Sequence, residues 1–159
     1  MLSCWRAFPS IPLSDTRDSD SKDLALQLAE IIDEKQGSEI LILDVARRLA
    51  IADFFVIATA RNNRHAQALG RELDLTVKHL GYQRRNLAGL SGQSGWVLLD
   101  FNTVVVHVFS QESRDFYRLE NLWADVPRIP FAPTTKPVQT EEGWLPEPGD
   151  SYPDSIGNL

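Results

Sequence analysis

The stretch Gly95–Phe109, "GWVLLDFNTVVVHVF", decides how the chain folds. Two apolar runs, rich in aromatic and β-branched residues, flank a short polar step at Asn102–Thr103, the pattern of a β-hairpin. With a two-residue turn there, Phe101 faces Val104 and Asp100 faces Val105. Side chains alternate along a strand, so Val97, Leu99, Phe101, Val104, Val106 and Val108 then share one wholly apolar face, which must be core. Trp96, Leu98, Asp100, Val105, His107 and Phe109 share the other. A three-residue loop with a bulge would instead shift the pairing and separate Asp100 from His107. The polar members of the second face raise three alternatives: a catalytic pair, a metal site, or a surface for another macromolecule.

Outward from the hairpin the pattern is a compact alternation of helices and strands. "DLALQLAEIIDEKQ" places apolar residues at 24, 28, 31 and 32, a helical period, with an N-cap expected at Ser21 or Asp23 and a stop at Gly37. "EILILDV" reads as a short buried strand, "ARRLAIAD" as a connector and "FFVIATA" as a second strand. "NNRHAQALGRELDLTVKHLG" predicts a helix capped by Asn62 or Asn63, with Ala66, Leu69, Leu73, Val77 and Leu80 on its core face and Gly81 at its end. "YQRRNLAGL" is a weaker strand suited to a sheet edge. After the hairpin, "SQESRDFYRLENLW" predicts one helix lined by Phe116, Leu119, Leu122 and Trp123. The expected fold is α/β, a roughly five-stranded mixed sheet flanked by helices.

All nine prolines lie outside residues 13–126. Three regions follow: a flexible, solvated arm over 1–22, a folded domain over 23–126, and a Pro-rich tail over 127–159 that reads as extended or disordered. Trp144 and Leu145 are the tail residues that could dock elsewhere. The 159-residue length suits one ordinary domain. No apolar run approaches the roughly 20 residues that span a bilayer, and the start of the chain lacks the features of a targeting peptide, so a cytoplasmic address and no membrane partner are expected.

The single cysteine, Cys4, leaves no internal disulfide, and with three histidines no zinc-ligand spacing arises. The formal charge is −6, of which −3 falls on residues 23–126. That balance disfavours a large phosphate-binding surface and more readily suits a basic protein partner. Asp44 and Asp53, each at a strand–connector junction, are the residues of an alternative reading, a metal-dependent nucleotidyltransferase-like enzyme. No Gly-rich phosphate loop or third matching carboxylate accompanies them, and Asp commonly caps turns. Neither metal nor cofactor is expected. Asp100 and His107 lack a neighbouring nucleophile, so no catalytic residue is assigned. The Arg47–Arg48 and Arg84–Arg85 doublets read as solvated charges, and "ATARNNRH" lacks the glycines that let phosphate approach a helix end.

Taken in order, "ILILDV", "IADFFVIATA", "NNRHAQALGREL" and "GWVLLDFNTVVVHVFSQESRDFYRLENLW" resemble the ribosomal silencing factor (Iojap-like) family over about residues 23–126. The resemblance implies a domain related in fold to nucleotidyltransferases but lacking their catalytic residues, and a role that is not enzymatic. Family members bind the large ribosomal subunit through its fourteenth protein, on the subunit-joining face. They thereby block the small subunit and lower translation when nutrients are scarce, and free members are often homodimers. Carried onto this chain, the resemblance places Trp96, Asp100 and His107 at or near the ribosomal-protein contact, with Arg114, Tyr117 and Glu120 as a second tier. Asp44 and Asp53 read as structural, and no direct sequence-specific nucleic-acid contact is implied. The chain departs from the family pattern at "TARNNRH" after the second strand, at "LAGLSGQSG" before the hairpin, and at Asn102, where Gly is common.

Overall fold

The computed structural model describes residues 13–134, with side chains described from Arg17 onward. Most of the arm (1–12) and the tail from 135 on, including Trp144 and Leu145, lie outside the described residues. The elements run α1 (Leu13–Glu34), β1 (Ser38–Asp44), β2 (Phe54–Ala60), α2 (Asn63–His79), β3 (Asn86–Ala88), β4 (Trp96–Asp100), β5 (Val104–Ser110), α3 (Gln111–Tyr117), α4 (Leu119–Leu122) and β6 (Arg128–Ile129). They build a six-stranded mixed sheet in the order β3-β4-β5-β2-β1-β6. Only β2 and β5 pair in parallel; the other ladders are antiparallel. No described helix is long and apolar enough to cross a membrane.

The hairpin adopts the tight register. Asp100 pairs with Val105, Leu98 with His107 and Trp96 with Phe109. Asn102 takes φ +75°, a left-handed conformation that Asn tolerates better than most residues. The Phe101 amide donates to the Val104 carbonyl at 2.9 Å, closing the turn. Val97, Leu99, Phe101, Val104, Val106 and Val108 are all buried, and α1 and α2 cover them. This first core also takes Leu24, Leu28 and Ile32 from α1 and Leu69, Leu73 and Val77 from α2. β2 is the centre of the sheet, buried along its whole length.

The helix ends show how the sequence punctuates the fold. The Asn62 side chain accepts from the His65 amide at 2.8 Å, capping α2. At its far end Gly81 sits at φ +85°, and the amides of Gly81 and Tyr82 return to Lys78 and Val77, a Schellman closure. α1 ends the same way, but Gln36 (φ 67°) takes the left-handed position and Gly37 follows it. The Gly37 amide bonds the Ile32 carbonyl at 2.8 Å, and a Cβ on Gly37 would lie 2.3 Å from the Ile32 side chain.

Several expectations are corrected. α1 starts at Leu13, so residues 13–22 are helix and Ser21 is not its cap. No Gly or Pro interrupts that stretch, and the Ser21 hydroxyl lies 2.8 Å from the Arg17 carbonyl, a back-bond one turn away. The sheet gains a sixth strand inside the segment expected as tail. Arg128 and Ile129 pair with Leu43 and Ile42, and Ile129 and Phe131 pack on the first core. A proline-flanked edge strand of two residues carries too little pattern to be read from sequence. Leu80 is exposed because it follows the last turn of α2.

The expected final helix is two short ones, broken at Arg118 (φ 44°, ψ 51°). In one continuous helix Phe116, Leu119 and Leu122–Trp123 would share a face. Instead α3 turns Arg114 inward, which sends Phe116 to the opposite side, and the break lets Leu119 and Trp123 reach the second core. Phe116 and Leu122 are 80% and 72% exposed.

Candidate functional site

The second sheet face carries a smaller core of Leu43, Val45, Ala52, Phe55, Ile57, Phe109 and Val126. The 45–52 connector folds over it, and the Arg48–Asp125 ion pair ties that connector to the segment after α4. Trp96, His107, Tyr117 and Trp123 are set around this core. The site starts with Gly95 at φ +64°, where a Cβ would lie 2.5 Å from the hydroxyls of both Ser110 and Ser113. Glycine there lets the start of β4 lie against the start of α3, and Ser110 caps α3 by accepting from the Ser113 amide.

Trp96 opposes Phe109, and their rings stack with centroids 5.0 Å apart at 28°. The Trp96 Nε1–H donates to His107 Nδ1 at 3.3 Å. An indole nitrogen only donates, so the bond requires the tautomer of His107 with its proton on Nε2. His107 is 6% exposed, edge-on to Phe55, and burial lowers its pKa from 6.5 to about 4. It is therefore neutral at pH 7. Its Nε2 is buried with no hydrogen-bond partner among the described residues. Tyr117 completes the ring set, 5.0 Å from Trp96, and Phe116 stands edge-on to Tyr117 at 5.0 Å. The rings thus run from the buried imidazole outward to solvent.

Arg114 is the anchor of the covering helix. It is buried, and its Nη1 donates to the Glu39 carbonyl at 2.7 Å and to Thr59 Oγ1 at 2.8 Å. Its Nε donates to Glu120 Oε1 at 3.2 Å, across the break at Arg118. Glu39, itself at φ 47° in a bulge of β1, accepts from the Thr59 hydroxyl at 3.0 Å. One guanidinium therefore fastens α3 and α4 to the ends of β1 and β2.

The structure brings together five of the six expected site residues. Trp96, His107 and Tyr117 share the ring set, and Arg114 and Glu120 support it from within. Asp100 stands apart, at the turn end of β4, where its Oδ1 accepts from the Asn102 amide at 2.8 Å. That is an Asx turn, which fixes the hairpin. Asp44 and Asp53 do local work as well. Asp44 accepts from the Ala46 amide at 3.2 Å, and Asp53 Oδ2 lies 2.9 Å from the Ser21 hydroxyl. Among the described residues no three His, Cys, Asp or Glu side chains come together as a metal site. His65 bridges elements: its Nδ1 accepts from the Arg61 amide and its Nε2 meets the Lys35 carbonyl at 2.8 Å.

Sequence reasoning missed the exposure of Phe116 and Leu122. Both fit an amphipathic helix on spacing alone. The competing signal was Arg114 with Tyr117, a pair at i, i+3 that lays claim to the inward side of the same helix.

The chain and its fold have counterparts. The family model described as "Ribosomal silencing factor during starvation" matches residues 18–148. The "Ribosomal silencing factor RsfS" of Halalkalibacterium halodurans is 37% identical over 105 residues, covering 65% of this chain and 89% of that protein. A crystal structure of a Chromobacterium violaceum protein superposes with a TM-score of 0.60 at 26% identity, over 76% of this chain and 95% of that one. The mouse "Mitochondrial assembly of ribosomal large subunit protein 1" is 28% identical over 98 residues, covering 60% of this chain and 43% of that protein. The chain belongs to the ribosomal silencing factor family.

Proposed function

We propose that this protein is a non-enzymatic ribosomal silencing factor. It binds the large ribosomal subunit at the subunit-joining face through that subunit's fourteenth protein, and it sterically blocks the small subunit, lowering translation under nutrient limitation. The observation that carries the reading, given the family, is the ring series from His107 through Trp96 and Tyr117 to Phe116. An aromatic edge rooted in a rigid core and open to solvent is the form that binding hot spots take. The chain's formal charge of −6 suits a basic ribosomal partner.

In this reading Trp96, Tyr117 and Phe116 touch the partner. His107, Arg114 and Glu120 hold them in place, because the first two are buried and Glu120 is tied to Arg114. Asp100 contributes by fixing the hairpin. The free protein is a homodimer in this reading. The name of the mouse relative, which refers to assembly of a large ribosomal subunit, agrees with the choice of subunit.

Sucrose-gradient sedimentation tests the proposal. The protein should travel with isolated large subunits and, in excess, reduce their joining to small subunits. Free migration at the top of the gradient, or unimpaired joining, would exclude it. The nucleotidyltransferase-like alternative built on Asp44 and Asp53 requires Mg²⁺-dependent nucleotide turnover that is lost in Asp44→Ala.

A further inference from the structure

A second feature lies at the opposite end of the hairpin from the rings. Between the start of α1, the turn after α2 and the Asn102–Thr103 turn is an open groove of about 530 Å³. Its lining includes Arg17, Asp20, Tyr82, Arg84, Arg85 and Asn102. Arg84 is bound to Asp74 at 2.9 Å and belongs to the scaffold. Arg17 and Arg85 are exposed and have no ion-pair partner among the described residues. Arg17 and Arg85 line this groove together with Arg84 and a single carboxylate, Asp20, which leaves the lining net positive on a chain of formal charge −6.

We infer that this groove is a contact for the sugar–phosphate backbone of RNA, a second point of attachment that rests on the ribosome-binding reading. Guanidinium forks match phosphate oxygens in a way that a lysine ammonium does not. Tyr82, 40% exposed in the same lining, offers a ring on which an unpaired base stacks. The Asn102 side chain is exposed at the rim, while Asp100 and the turn hold its backbone in place. β4 is five residues long, which puts the groove roughly 14 Å along the strand from Trp96. A ribosomal protein at the rings and an RNA strand at the turn could therefore be engaged together. The contact reads backbone and stacking, so it carries no sequence preference.

The experiment compares the full-length protein with R17Q/R85Q, leaving Arg84 intact. An oligouridylate of about ten nucleotides, added at low salt, should shift the backbone amide resonances of Gly81–Arg85 and Asn102–Thr103, and the variant should lose those shifts. On intact large subunits the variant should bind about tenfold more weakly, with the slope of log affinity against log salt reduced by roughly two. Its affinity for the isolated ribosomal protein should not change. No shifts in the wild type, equal shifts in the variant, or an unchanged salt slope on large subunits would overturn the inference. Equal shifts from a polyglutamate peptide would overturn the assignment to RNA in favour of an acidic protein. If the wild type does not travel with large subunits, the ribosome-binding reading fails, and the oligouridylate titration still decides whether the groove takes RNA.

Discussion

Trp96 and His107 are diagonal neighbours across β4 and β5, joined by an indole N–H to imidazole Nδ1 bond of 3.3 Å. The bond fixes the orientation of both rings at once. It also requires a neutral imidazole, because a protonated Nδ1 would set one donor against another.

That requirement gives the fold a pH dependence. His107 has its pKa lowered by burial from 6.5 to about 4, so the unfolded chain binds the proton more readily than the folded one. Stability is complete above pH 6.5 and is lost as pH falls from there toward 4, by about 3 kcal/mol. Urea unfolding at pH 7 and at pH 4.5 should show that loss. In His107→Phe the two midpoints should draw together, and an undiminished gap would remove His107 as its cause.

Arg114 should be a stability determinant. Arg114→Met leaves the Glu39 carbonyl, Thr59 and Glu120 without their buried partner, at a cost of about 3 kcal/mol or more. Glu120→Gln should cost less, and the double variant less than the sum, since the two share one interaction. Additive losses in urea titrations would show that the 3.2 Å contact carries no coupling.

Phe116 should separate recognition from folding. It is 80% exposed, so Phe116→Ser should change stability by no more than about 0.5 kcal/mol. Binding to large subunits should weaken by tenfold or more, the scale of a single hot-spot residue. Wild-type co-sedimentation by a folded Phe116→Ser protein would move the contact away from these rings.

The turn makes a prediction of opposite sign. Asn102 holds φ +75°, so Asn102→Gly should stabilise the hairpin or leave it unchanged, whereas Asn102→Val should destabilise it by about 1–2 kcal/mol. Thermal melts of both variants measure this, and equal melting points would show that the turn relaxes.

The sequence by itself determined that Gly95–Phe109 is a hairpin with one wholly apolar face, whereas the structure chose the two-residue turn over a bulged loop, pairing Asp100 with Val105. It determined α2, with its cap narrowed to Asn62 or Asn63, and it placed β2 without error at either end. Local chemistry and strict periodicity decide such features. Tertiary structure alone decided that Ser21 lies within a helix, that β6 closes the outer edge of β1, and that the last helix breaks at Arg118. It also decided that His107 lies beneath the surface while Phe116 stands above it. Period and propensity place a side chain on a face of its own element. What covers that face is settled by distant groups, here the hold of Arg114 on Thr59 and the Glu39 backbone, from 55 and 75 residues away.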